Sequence, residues 1–330
     1  MASLLSDEEK EKAEKKAQPD WMNPTLAKLT EDYFSDPDWI YERKLDGVRC
    51  LVFKNGNSVK LISRNKKEQN HIYPELVEPF KDQKQNFIAD GEIVTFDGHI
   101  TSFSKLQARM NVQKPSDELI KKTPVFFYLF DCMYIDGYDI TALDTRSRKA
   151  LLKKGLAFDG PLRYLEHVNE KGEKYHSEAC KKGWEGVIAK DATKKYVHSR
   201  SSNWLKFKCV NQQELVIGGF TPPGGQRKGF GAILVGFYEN KKLRYAGKVG
   251  TGYSDDELEE LRAKFDRLER KTSPFSDEVN EKDTLWITPD LVAEIGFTEW
   301  TGDNKLRHPR YLGLRKDKDP EDVKKEKPEA

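Results

Sequence analysis

The chain has 330 residues, enough for about two domains with a core each. Its 57 Lys plus Arg nearly cancel its 55 Asp plus Glu, leaving +2, so bulk charge makes no case for a nucleic-acid partner and any basic surface must come from local clustering. No apolar run approaches a membrane span, and the N-terminus lacks the apolar core of a signal peptide, so no membrane association and a soluble cytoplasmic protein are the expectation.

Residues 1–20 are rich in Glu and Lys and read as a solvated tail. Strand character begins at Trp39-Ile40-Tyr41 and runs into Glu42-Arg43-Lys44-Leu45-Asp46-Gly47-Val48-Arg49, which reads as a strand, a sharp Asp-Gly bend and a second strand. Asn55-Gly56 is a strong two-residue hairpin signal between the strands 48–54 and 58–63. Phe87 to Phe96 and Pro124 to Ile135 repeat that logic, each closed by an Asp-Gly pair. Asp144-Thr145 caps a helix towards Lys154, and Gly172 to Lys182 forms another, with Gly183 at its end. The strands 185–190 and 204–209 close an α+β domain of antiparallel sheets, 21–210.

From Gln213 the character changes. Leu215 to Phe220 is a strand, and the Gly/Pro-rich loop 221–231 follows. Strands 232–238 and 243–249 come next, then a helix capped by Ser254 with Leu258, Leu261, Phe265 and Leu268 on one face. Strands near 285–287 and 291–300 complete five, with the helix between the third and fourth, the order of an OB barrel, 211–322. Residues from Lys316 are expected to fray, and 323–330 to be a second charged tail. Cys50, Cys132, Cys180 and Cys209 form no Cys-x-x-Cys pair and read as reduced thiols, with neither a disulfide nor a zinc site.

Lysine loses its charge readily near other cations, which is how it becomes a nucleophile. The rest of the chain offers partners for Lys44. Glu92 lies in Asp90-Gly91-Glu92, on a strand, and Glu185 starts EGVIAK; these are oxygen donors of the kind Mg²⁺ or Mn²⁺ takes. WLKFK alternates, so Lys206 and Lys208 share one face while Leu205 and Phe207 enter the core. Two lysines side by side suit an α-phosphate between them and favour the neutral amine of Lys44. Phe130, at the end of an aromatic run, has a face on which a purine could stack. Singly, each of these has a bland reading: an exposed hairpin, solvated carboxylates, an edge strand guarded by lysines, a core aromatic.

Together the motifs ERKLDGVR (42–49), SRN (63–65), DGE (90–92), YLFD (128–131), EGVIAK (185–190), WLKFK (204–208) and RKDK (315–318) resemble the covalent nucleotidyltransferases. The match is closest to ATP-dependent DNA ligases, and the text at 218–238 resembles the ligase module of bacterial end-joining ligases, the ligase D type. The resemblance covers about Trp21 to Asp322. It implies an α+β nucleotidyltransferase domain, ATP-grasp-like, followed by a five-stranded OB-fold β-barrel.

The resemblance also implies an ATP-binding set. Lys44 would become adenylylated, with Leu45 beside it, and Glu42 would meet the adenine edge. Arg49 and Arg64 would hold the ribose and phosphates, or later the 5′-phosphate of a nick. Glu92 would bind the ribose and, with Glu185, metal. Phe130 and Ile188 would sandwich the adenine, and Lys206 and Lys208 would contact the α-phosphate. Arg315 and Lys318 would close over pyrophosphate, about a hinge at Val210-Asn211-Gln212-Gln213. The implied cofactors are ATP, with AMP as a covalent intermediate, and Mg²⁺ or Mn²⁺. The implied partner is nicked duplex DNA, in repair or replication, with the chain expected to be a monomer. No helical DNA clamp, polymerase or nuclease module is recognised in these residues, so DNA contact is expected to fall on Arg64, Arg227, Lys228 and scattered cations. Competing readings are an RNA ligase, a GTP-dependent capping guanylyltransferase, and a non-catalytic OB-containing nucleic-acid binder.

Overall fold

The computed structural model describes residues 4–110, 112–209, 211–225 and 227–326. The chain divides into two compact units, one reaching Cys209 and the other Val210 to Glu326.

The first unit is built on two sheets. A seven-stranded sheet runs, edge to edge, through Glu14–Lys15, Tyr138–Asp139, Phe126–Ile135, Phe87–Val94, Val48–Asn55 and Ser58–Ser63, with Leu162–Tyr164 alongside Phe126–Ile135. A five-stranded sheet runs His167–Asn169, Trp39–Lys44, Gly186–Asp191, Arg200–Lys208, Leu26–Leu29. Pairing is antiparallel apart from the edge strands Leu162–Tyr164 and Leu26–Leu29. Strands Trp39–Lys44 and Val48–Asn55 do not form a hairpin, because they belong to different sheets. Leu45-Asp46-Gly47 is a crossing between the sheets, and a Cβ on Gly47 would meet the Ile93 carbonyl and Val94, so only glycine fits the crossing. The Asn55-Gly56 hairpin forms as expected, with Gly56 at φ +56°.

Three apolar cores hold this unit together. One backs the large sheet with Val48, Cys50, Val52, Ala89, Ile93 and Phe127. A second draws on both sheets through Leu51, Phe53, Ile88, Phe130 and Trp204. The third backs the small sheet with Tyr41, Val187, Ala189 and Phe207, against Ala179 of the helix Gly172–Lys181. The helix Thr145–Gly155 starts at the expected Asp144 cap, whose side chain accepts from Ser147 N. It delivers Arg148 to Asp131 as a fully buried two-pronged pair at 2.8 and 3.0 Å. Burial raises the Asp131 carboxyl, but the Arg148 guanidinium outweighs that and holds it below the usual range.

Residues 4–20 are not a solvated tail. Leu5 is buried in the first core, Glu14–Lys15 pairs with Tyr138–Asp139, and the Gln18 amide donates to the carbonyls of Lys54 and Phe87. The charged residues around Leu5 hid its role in composition alone. The cysteine expectation also fails: Cys180 and Cys209 are joined by a disulfide. A separation of 29 residues gave no spacing signal, and the pair meets because the helix carrying Cys180 packs on the sheet that Cys209 follows.

The second unit is a six-stranded antiparallel sheet in the order Lys242–Val249, Ile233–Glu239, Asn211–Phe220, Leu285–Phe297, Glu269–Arg270, with Arg310–Leu314 also on Leu285–Phe297. The helix Asp255–Phe265 follows the third long strand and buries Leu258, Leu261 and Phe265, an OB-type order. The two strands expected at 285–300 are one, Leu285–Phe297, paired to Asn211–Phe220 through a register shift at Ile217/Gly219. The fifth long strand is Arg310–Leu314. Of the expected hinge, Asn211, Gln212 and Gln213 are ladder residues opposite Phe297, Gly296 and Ile295, and Val210 lies outside the described residues. The stretch expected to fray is held: Val323 is buried, and its carbonyl accepts from Tyr238 N at 2.7 Å. Residues 327–330 of the expected tail, and Gln226 of the 221–231 loop, lie outside the described residues.

Candidate active site

Three neighbouring strands of the small sheet set the site by register. Gly186 stands opposite both Lys44 and Lys208, and Ile188 opposite both Glu42 and Lys206. Residues directly across a ladder, and two apart along a strand, point the same way. Lys44, Glu42, Ile188, Lys206 and Lys208 therefore share one face, while Arg43, Val187 and Phe207 take the other. Glycine at 186 has φ +149° and a position where a Cβ would strike the Phe207 carbonyl. It thereby brings the Lys44 and Lys208 strands together with no side chain between them.

Lys44 Nζ donates to Glu185 Oε1, with the two side chains 18% and 9% exposed. Glu42 lies deeper. Its carboxylate takes Lys149 Nζ at 2.5 Å and Lys190 Nζ at 2.7 Å, all three nearly inaccessible. Lys149 also donates to the Leu165 carbonyl at 3.0 Å. Lys190 lies 4.4 Å from the Phe130 ring centre and 4.0 Å from that of Trp204. Burial pulls the Lys190 ammonium down to about 8, against the pull of Glu42.

The large sheet contributes the rest. Arg49 stands opposite Glu92 in the ladder, and Glu92 opposite Tyr128. The Arg49 guanidinium grips Asp90 with two bonds of 2.5 Å and stacks 4.6 Å from the Phe130 centre. Burial works against that charge, but Asp90 holds it well above its ordinary value. Tyr196 donates to the same Asp90 at 2.6 Å. Phe130 is 7% exposed, and Leu45 9% exposed, in the core that draws on both sheets. Arg64 follows the strand Ser58–Ser63 and is half-buried.

Arg227, Lys228, Arg315 and Lys318 belong to the second unit. Arg315 is 10% exposed and engages Asp317 at 2.9 Å and Glu294 at 3.4 Å. Lys318 pairs with Glu214 at 2.7 Å. Lys228 makes an exposed pair with Glu259 at 3.2 Å, and Arg227 donates to the Gly250 carbonyl at 2.7 Å.

Sequence reasoning missed Lys149, Asp90 and Tyr196 as site supports. Lys149 carried no signal beyond an amphipathic helix, whereas Asp90 stood two residues from Glu92 on the same strand face.

His167, opposite Glu42 in the edge ladder, is pushed by burial and then by Lys149 from 6.5 down to about 4. The unfolded chain takes up that proton near 6.5 and the folded chain only near 4, so stability falls as pH drops through that window, by at most about 1.4 kcal/mol per pH unit. His167→Asn should flatten the fall in melting temperature between those limits, and an unchanged slope in the variant would reject this origin.

Residues 24–208 match the family model "ATP dependent DNA ligase domain", and 226–318 match "ATP dependent DNA ligase C terminal region". The chain belongs to the ATP-dependent DNA ligase family. It is 32% identical over 94% of its length to the multifunctional non-homologous end joining protein LigD of Pseudomonas aeruginosa, and 36% identical over 87% to LigD of Mycobacterium tuberculosis. It spans 37% of the length of each of these relatives. Among solved structures, mycobacterial DNA ligase D complexed with ATP and MES matches with TM-score 0.66 and 32% identity, covering 92% of this chain and 97% of that one. No helix among the described residues is long and apolar enough to cross a membrane.

Proposed function

We propose that this chain is an ATP-dependent DNA ligase of the LigD ligase type that joins 3′-hydroxyl and 5′-phosphate ends in duplex DNA, in repair or replication. The observation that carries the reading is the register that sets Lys44, Lys206 and Lys208 on one sheet face with Glu42, and Glu185 against the Lys44 amine.

Lys44 attacks the α-phosphorus of ATP, forming the N–P bond of a lysyl-AMP and releasing pyrophosphate. Glu185 orients the amine, and Lys206 and Lys208 neutralise charge on the α-phosphate. Phe130 and Ile188 hold the adenine, with Glu42 at its edge and Leu45 below. Glu92 and Arg49 serve the ribose, and Arg64 the phosphates. A 5′-phosphate oxygen then displaces Lys44 from AMP, and the 3′-hydroxyl finally displaces AMP from the activated end. Each step is in-line displacement at phosphorus, where positioning and charge neutralisation dominate.

Glu92 and Glu185 are hard oxygen donors suited to Mg²⁺ or Mn²⁺. Neither belongs to a cluster of three or more acidic, His or Cys ligands among the described residues. That fits an ion held by one or two carboxylates and completed by phosphate oxygens and water, the habit of Mg²⁺. When bound, the ion withdraws charge from the phosphates.

In this reading 21–210 is the adenylyltransferase domain and 211–322 the OB domain, acting as a cytoplasmic monomer. Arg315 and Lys318 serve pyrophosphate after exchanging their present carboxylate partners. Three phosphate contacts from Arg64, Arg227 and Lys228 give a log–log salt slope of about −2.7 for nick binding, and Lys228→Ala should flatten it by about 0.9. A slope near zero in the unchanged chain would remove this DNA grip.

The direct test is covalent self-labelling with ATP or GTP carrying a radiolabelled α-phosphate, before and after pyrophosphate treatment. Label from ATP alone is expected. Label from GTP alone would make the chain a capping guanylyltransferase, and no label after stripping would leave a nucleic-acid binder. Sealing of nicked RNA in preference to DNA would favour an RNA ligase.

A further inference from the structure

Three soft side chains meet on the back of the small sheet, away from the Lys44 face. The helix Gly172–Lys181 carries His176 and Cys180 one turn apart, and Cys209 follows the strand Arg200–Lys208. Among the described residues they form the one group of His, Cys or acidic side chains whose ligand atoms all lie within 4.8 Å of one another. Cys180 and Cys209 are bonded, with their Cα atoms 5.1 Å apart. His176 Nε2 lies 3.4 Å from Cys180 Sγ and 3.3 Å from the Lys208 carbonyl. The Tyr33 hydroxyl also donates to that carbonyl at 3.3 Å, so the carbonyl keeps a donor when Nε2 turns to the sulfur. Burial lowers the His176 imidazole below its ordinary value, so it stands neutral beside the Cys180 sulfur. Both bonded cysteines are half-buried, whereas Cys50 and Cys132 are fully buried.

The bond reaches the candidate site through the backbone. Cys209 N donates to the Glu185 carbonyl at 3.0 Å, and Trp184 N donates to the Ala179 carbonyl at 3.0 Å. Lys208 is the residue before Cys209, opposite Gly186 in the ladder. The disulfide therefore closes a ring of chain that contains Glu185, Lys206 and Lys208.

We propose that Cys180 and Cys209 are a reversible thiol–disulfide site whose reactants are low-molecular-weight disulfides, and that closing it holds Glu185 and Lys208 in register. One cysteine gives up its proton to the buffer, with the His176 imidazole beside Cys180 Sγ, and attacks a sulfur of the small disulfide. That S–S bond breaks, one small thiolate leaves, and a mixed disulfide remains. The other cysteine, as thiolate, attacks the protein sulfur of the mixed disulfide and displaces the second small thiolate. The protein loses two protons and two electrons, and the small disulfide becomes two thiols. The effect on catalysis rests on the ligase reading, and the thiol chemistry does not. An enzyme acting on DNA works where thiols are mostly kept reduced, so such a pair there acts as a sensor more than as a permanent staple.

The test equilibrates the full chain in buffers of graded reduced-to-oxidised glutathione ratio, traps thiols by alkylation and maps them by peptide mass. Cys180 and Cys209 should pass reversibly from alkylated to linked, with Cys50 and Cys132 unchanged. The linked form should melt about 5–10 °C higher. Reduction should slow self-adenylylation roughly tenfold, short of the loss that a misplacement of about 1 Å can cause. Cys180→Ser should erase both differences and keep the activity of the reduced chain. A pair that stays reduced at every ratio overturns the proposal, as do equal melting temperatures in the two forms. One zinc per chain in the reduced protein by elemental analysis also overturns it, since the cluster would then be a Cys₂His metal site. If neither form self-adenylylates, the ligase reading fails while the thiol and melting measurements still decide this one.

Discussion

Lys44→Ala is expected to abolish self-adenylylation, by at least roughly a thousandfold, because no neighbouring side chain can replace a covalent nucleophile. The same variant should still seal a nick that is already adenylylated, since that step needs the 3′-hydroxyl and the charge of Lys206 and Lys208 but not the Lys44 amine. The two substrates thus separate a chemical role from a structural one. Removing the ammonium also strips a partner from Glu185, which is only 9% exposed, so a melting curve must accompany the assay. Retained folding with equal loss on both substrates would sink the assignment of Lys44 as nucleophile.

Lys149→Met should have the largest effect on stability. Lys149 and Glu42 are almost completely buried, and Glu42 would be left with Lys190 alone. Lys190 still neutralises the carboxylate, but a buried Glu42 oxygen and the Leu165 carbonyl lose their donor, and a buried acceptor left unsatisfied costs about 1–3 kcal/mol. Denaturant unfolding measures it. A loss under about 1 kcal/mol would show that Lys190 and water already satisfy the carboxylate. A function follows from the same geometry: Lys149 fixes the direction of Glu42, so at temperatures where the variant stays folded the KM for ATP should rise more than kcat falls.

The local elements around these residues were legible in the chain because their signals are local. Asn55-Gly56 demands a tight turn, Asp144 and Ser254 cap the helices that follow them, and the alternation of Trp204 to Lys208 assigns its own two faces. The Lys44 motif was legible for the same reason, since its spacing is carried within eight residues. The helix Phe103–Met110 escaped although Ser102 caps it, its hydroxyl accepting from Lys105 N at 3.2 Å, and Phe103 and Leu106 are buried, and so did the docking of residues 4–20, where one buried leucine outweighs a run of charge.

By itself the sequence determined the α+β and OB-type order of elements, and it pointed to the candidate nucleophile and the families of charge proposed to surround it. Only the tertiary structure decided that Leu45-Asp46-Gly47 crosses between two sheets, that Glu42 is held by two buried lysines, that Arg49 grips Asp90, and that Cys180 meets Cys209. The physical reason is range. Turn, cap and alternation energies act between residues a few positions apart, whereas this disulfide and these ion pairs join residues 29 to more than 100 positions apart, and which of the many cations reaches which carboxylate is settled by packing.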